Sequence, residues 1–140
     1  MSHRFFLDTN IFVYSFDITA PAKAKRALQL IQMGVDTQRG IISFQVVQEF
    51  FGVAIRRFAQ PLSLAEAEQY LGTVLRPMLA IHSSAALYLD ALRLHMAHHL
   101  SWFDSLIVAA AIEGRCDVLF SEDLQQGRKI DGLRIENPFK

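Results

Sequence analysis

Arg4-Phe5-Phe6-Leu7-Asp8-Thr9-Asn10-Ile11 is a short apolar run that ends in an acid followed by two small polar residues. The pattern reads as a buried strand that delivers Asp8 to its C-terminal end. In an open α/β sheet that edge is where ligands bind, because loops and helix N-termini converge there. Thr9 and Asn10 suit the turn into a following helix, since their side chains can cap freed backbone N–H groups. A lone Asp in this position is as readily a helix cap as a functional acid. The question is whether other acids reach the same edge, and Glu49, Asp104 and Asp123 are placed to do so.

Working outward, residues 11–16 read as a short helical turn and residues 17–20 as a loop. Pro21 suits the first turn of a helix running to about Met33, with Gly34 stopping it. Ala24, Ala27, Leu28 and Ile31 form its apolar face, and Lys23, Lys25 and Arg26 fall mostly on the other, a solvated face that could also brush phosphates. Residues 40–42 read as a strand, and Ser43 as the N-cap of a helix over 44–58. Within it Val46, Val47, Phe50 and Val53 follow the 3.6-residue rhythm, which sets Glu49 beside the buried stripe. An acid placed there is costly unless something cationic compensates it. Ser63-Leu64-Ala65-Glu66 has the form of a capping box opening a helix to about Leu75. Residues 77–81 read as a strand, and Ser83 as the cap of a long helix through Met96. Trp102–Glu113 is a further helix, ended by Gly114, and Asp117–Phe120 is a buried strand leading to Ser121-Glu122-Asp123. A short strand near 133–135 precedes the closing Asn137-Pro138-Phe139. Strands alternating with helices argue for a parallel sheet flanked by helices, in one domain over residues 1–140.

Composition narrows the function classes. The chain of 140 residues is 51% hydrophobic, and its 14 Lys+Arg balance its 14 Asp+Glu. Nucleic acid cannot then be gripped by bulk charge, so any such binding uses a local patch or a metal. High hydrophobicity with no net charge also suits a surface covered by another subunit. The single Cys116 excludes an intramolecular disulfide and a multi-cysteine zinc site, and it reads as a core residue. No signal peptide and no membrane-length apolar stretch is read, so a cytoplasmic location is expected. His95, His98 and His99 approach a helix end, where histidine complements the dipole, and no acid or cysteine of matching spacing makes them a zinc site. Trp102 and Phe103 read as packing at a helix start, with stacking on a base as the alternative. No Gly-rich phosphate loop is present.

The four acids share a structural setting. Asp8 and Asp123 follow strands; Glu49 and Asp104 stand in the early turns of helices. In a parallel α/β domain these positions meet at one edge. Two unit charges ~4 Å apart repel by about 4 kcal/mol at an effective dielectric of ~20. Protonation or a hard divalent cation would relieve this, and Mg²⁺ and Mn²⁺ prefer carboxylate oxygens and act on phosphoryl substrates. Each acid taken singly remains readable as a cap or a surface charge.

Several segments, in order, are similar to the PIN-domain family, above all to the toxin-type ribonucleases of VapBC toxin–antitoxin systems. They are Phe6-Leu7-Asp8-Thr9-Asn10-Ile11, then Ile42-Ser43 with Val46-Val47-Gln48-Glu49-Phe50, then residues 100–111, then Leu119-Phe120-Ser121-Glu122-Asp123-Leu124, and finally Asn137-Pro138-Phe139. The resemblance implies a three-layer α/β/α sandwich around a central parallel sheet. It also implies Mg²⁺- or Mn²⁺-dependent cleavage of single-stranded RNA, a homodimer and a partner antitoxin. By the same resemblance Asp8, Glu49, Asp104 and Asp123 are the acidic metal site, and Asn10, Ser43 and Ser121 its supporting polar residues. The alternative on the same fold is a non-catalytic module that binds RNA or a protein partner, but such a module has no need of mutually repelling carboxylates.

Overall fold

The computed structural model describes residues 3–140. Among these, β1 (Arg4–Leu7), β2 (Gly40–Ser43), β3 (Leu79–Ile81), β4 (Cys116–Phe120), β5 (Lys129–Ile130) and β6 (Leu133–Glu136) form one sheet in the order β3-β2-β1-β4-β6-β5. All neighbours pair in parallel except β5 with β6, a short antiparallel edge. Parallel strands covered on both faces must be apolar throughout, and Phe6, Leu7, Ile42 and Leu119 are fully buried. The chain moves outward from β1 through β2 to β3, then returns to lay β4 on the other side of β1. Because such crossovers are right-handed, the reversal places the earlier and later helices on opposite faces. It also opens a crevice between the C-terminal ends of β1 and β4.

The helices are α1 (Thr9–Tyr14), α2 (Pro21–Thr37), α3 (Phe44–Ala54), α4 (Leu64–Tyr70), α5 (Arg76–Met78), α6 (Ala85–His98) and α7 (Trp102–Glu113). Helix α7 is buried from Ser105 to Ala111 and packs on β2 and β4, with α6 laid against it. The expected capping box closes in both directions at the start of α4, and α7 begins and ends where the sequence places it. Phe50 of α3 anchors an aromatic group, stacked on Tyr70 at 5.1 Å and edge-on to Phe12, Phe51 and Phe58. Burial there pushes the Tyr70 hydroxyl up to about 12.

Several boundaries differ from the sequence reading. Gly34 does not stop α2, which runs on to Thr37 and ends with Gln38 in the left-handed region. Gly34 is instead where helix and strand touch: a Cβ there would lie 3.2 Å from the Gly40 Cα and 3.1 Å from the Met78 sulfur. Helix α3 ends at Ala54 rather than Phe58, in a series of turns. Ser84, not Ser83, caps α6, accepting from the Leu87 N–H at 3.0 Å. Residues 71–75 form one π-helical segment that carries α4 into α5, so Pro77 and Met78 are helical and only residues 79–81 are strand. No helix among the described residues is long and apolar enough to cross a membrane.

Candidate active site

The crevice between β1 and β4 holds Asp8. Its N–H extends the ladder to the Phe120 carbonyl at 3.0 Å, and its carboxylate turns back to cap α1, accepting from the Thr9 N–H at 2.7 Å. Its second oxygen accepts from the fully buried Ser121 hydroxyl at 2.7 Å. Only 5% of Asp8 is exposed. Burial raises its pKa from 3.8 to about 7; the Ser121 and Thr9 bonds oppose the rise, and the nearby charges of Glu49 and Asp123 add to it. Asp8 is thus both a helix cap and the buried centre of an acidic edge.

Two of the other three expected acids are tied to this edge by direct contacts. Glu49, on α3, accepts from the Thr9 hydroxyl at 2.6 Å and from Gln45 at 3.3 Å. Asp123 accepts from the Asn10 side-chain amide at 3.1 Å, and its own N–H donates to the Ser121 hydroxyl at 3.2 Å. Asp104 stands half-exposed in the first turn of α7, its N–H donating to the cap residue Ser101 at 3.1 Å. It reaches the group through its neighbour, since the Phe103 carbonyl accepts from Gln45, which also holds Glu49. Ser43 occupies the cap position of α3 yet makes no capping bond; its buried hydroxyl is unpartnered, as are the buried Asn10 Oδ1 and Gln45 Oε1.

The donor set suits a hard cation: carboxylate, hydroxyl and amide oxygens, with no thiol or imidazole among them. Unpartnered buried oxygens are costly in isolation, and two of the three lie on Asn10 and Ser43, residues expected to support the site. Among the described residues, however, no three acidic, His or Cys side chains are already grouped as ligands around one point. The carboxylates of Glu49 and Asp123 point instead at hydroxyl and amide donors.

Thr9 and Gln45 were not singled out as site residues by the sequence, nor was the cluster beside Asp123. In that cluster Glu122 accepts from the Tyr14 hydroxyl at 2.5 Å and pairs with Lys23 at 2.7 Å. The Lys23 ammonium lies 4.7 Å over the Tyr14 ring, and Phe139 packs edge-on to the same ring. Lys23 is therefore engaged with Glu122 rather than simply solvated, and holds that carboxyl below its usual range. The helical rhythm of α3 offered one clue to Gln45, since residues four apart share a face. The histidines behave as helix-end residues: His95 Nδ1 lies 2.5 Å from the Leu100 carbonyl, and His99 is the left-handed cap of α6.

Solved structures of other proteins share this fold. A toxin–antitoxin complex from Klebsiella pneumoniae superposes with a TM-score of 0.66 at 20% identity, over 95% of this chain and 96% of that one. VapBC2 from Rickettsia felis, bound to a promoter DNA fragment, gives 0.65 at 18% identity over 95% and 97%. Mycobacterium tuberculosis VapC20, a Sarcin-Ricin loop cleaving toxin, gives 0.61 at 20% identity over 85% and 91%. At these identities the likeness is one of fold. No curated protein matches the chain by sequence. The PIN domain family model matches residues 5–131, nearly the whole chain, and the chain belongs to the PIN-domain family.

Proposed function

We propose that the protein is a divalent-metal-dependent endoribonuclease acting on single-stranded RNA, the toxin of a toxin–antitoxin pair. Asp8, Glu49, Asp104 and Asp123 would hold Mg²⁺ or Mn²⁺, with Asn10, Ser43 and Ser121 supporting them. The observation that carries the reading is Asp8, a carboxyl 5% exposed beside two further acids, with no cationic side chain of the described residues among the groups that act on its charge. When bound, the cation would activate water and stabilise charge on the phosphodiester. The chain's own residues do the positioning. Ser121 and the Thr9 N–H orient Asp8, the Thr9 hydroxyl and Gln45 orient Glu49, and Asn10 orients Asp123.

Water is the nucleophile in this reading because no side chain competes for the role. Cys116 is buried, with its thiol pushed up to about 12, and His95, His98 and His99 sit at the end of α6. One of the similar structures is a toxin–antitoxin complex and another is VapBC2 on its promoter DNA, which supports an antitoxin partner, and the third is a Sarcin-Ricin loop cleaving toxin. An antitoxin segment covering the acidic edge would present arginine to the carboxylates. A homodimer completes the proposed assembly.

The test is incubation with an RNA panel in Mn²⁺ or EDTA, followed by end mapping. Cleavage only with metal, leaving 3′-hydroxyl and 5′-phosphate ends, is expected. Cleavage undiminished in EDTA, or 2′,3′-cyclic phosphate ends, contradicts the mechanism.

A further inference from the structure

Gln45 lies in the first turn of α3, a place where glutamine is ordinarily solvated, yet it is only 5% exposed. A buried primary amide is tolerated only when hydrogen-bonded. Both hydrogens of its Nε2 are engaged, one with Glu49 Oε2 at 3.3 Å and one with the Phe103 carbonyl at 3.2 Å. The reversed amide would set Oε1 against a carboxylate and a carbonyl, so these neighbours dictate its orientation. The amide oxygen left over is buried and unpartnered.

The consequence falls on Glu49. Thr9 holds one oxygen of its carboxylate and Gln45 the other. Each oxygen receives one donor and keeps capacity for a further partner. Phe103 directly precedes Asp104, so the same amide ties the helix carrying Glu49 to the first turn of the helix carrying Asp104. Three elements are joined through this carboxylate and the Gln45 amide: the β1–α1 junction, α3 and α7.

We propose that Gln45 is a positioning residue of the acidic edge, fixing the Glu49 carboxylate and the spacing of α3 from the α7 N-terminus so that Glu49 and Asp104 serve one divalent cation. The proposal rests on the metal-dependent reading above and adds a residue to it. Donors that orient ligating carboxylates typically govern metal affinity or activity by 10–100-fold.

Binding of Mn²⁺ to wild type and to Gln45→Met, read from the free-ion electron paramagnetic resonance signal without RNA, tests it. Methionine has similar length but no amide hydrogens. A Kd weakened about 10–100-fold is expected, with kcat reduced, KM for RNA unchanged, and melting in EDTA close to wild type. A variant that melts early yet binds Mn²⁺ as wild type does would make Gln45 a packing residue and overturn the proposal. Wild type that binds no Mn²⁺ would remove the metal reading itself, and the positioning role with it. If the variant does not fold, Mg²⁺ titration of ¹⁵N-labelled wild type decides, followed at the Gln45 side-chain amide. A shift saturating with the metal supports the role, and an unmoved signal rejects it.

Discussion

Asp8 accepts two short hydrogen bonds and still keeps its proton up to about pH 7, because burial and the charges of Glu49 and Asp123 outweigh them. The unfolded chain releases that proton near 3.8. Between those values the folded state binds more protons, so stability in the absence of metal falls as pH rises through the window. The limiting slope is about 1.4 kcal/mol per pH unit. In Asp8→Asn this contribution vanishes, so urea unfolding in EDTA should show a flatter profile from pH 4.5 to 7.5 than wild type; parallel profiles would place the titration elsewhere. Divalent metal should offset the loss in wild type, by about 2.7 kcal/mol at a hundredfold excess over its Kd. Asp104 behaves differently. It is half-exposed, is not among the charges that raise Asp8, and complements the positive end of α7. Asp104→Asn should therefore leave metal-free stability within ~0.5 kcal/mol of wild type, while removing most of the metal-dependent stabilisation and the RNA cleavage. Melting curves in EDTA and in Mn²⁺ check this, and an unchanged metal response would make Asp104 a helix-start residue only.

At the scale of elements, local chemistry was legible and long-range contact was not. The capping box at Ser63, the span of α7 and the strands leading to Asp8 and Ser121 follow from neighbours within a few residues. The same holds for the early-helix setting of Glu49 and Asp104. Gly34 was misread because its reason lies in another element: α2 crosses β2 with glycine facing glycine, so a stop signal became a contact. Gln45 and Thr9 were unread as site residues for a similar reason, since the contact of Gln45 to Phe103 spans 58 residues and that of Thr9 to Glu49 spans 40. The two-residue β5 is too short to show a period and exists by pairing with β6. Gly40→Ala tests the crossing. Its Cβ would lie 2.5 Å from the Gly34 Cα, backbone that cannot swing aside, whereas a Cβ on Gly114 would clash with the tip of the Ile41 side chain and meet Ala110 and Ile81 at ordinary contact distance. Gly40→Ala should cost about 1–3 kcal/mol or more in urea unfolding, and more than Gly114→Ala; the reverse order would mean that α2 does not cross so closely.

On the scale of the whole molecule, exposed apolar side chains include two sets among the described residues. Leu89, Leu92, Met96 and Phe103 are exposed along α6 and the start of α7, and Phe16, Ile18, Leu28 and Met33 line or flank a groove beside α2. Surfaces of this kind mark interaction sites, in keeping with the proposed homodimer and antitoxin. Light scattering should give a dimer mass, and a strict monomer would remove that part of the proposal. Everything else rests on the edge where β1 and β4 end together. Crystals soaked in Mn²⁺ and measured at the manganese absorption edge locate the ion directly. The expected result is an anomalous peak about 2 Å from a carboxylate oxygen of Asp8, with Glu49, Asp104 or Asp123 completing the contact. A peak elsewhere on the chain, or none at saturating Mn²⁺, would contradict the assignment of this edge as a metal-dependent nuclease centre.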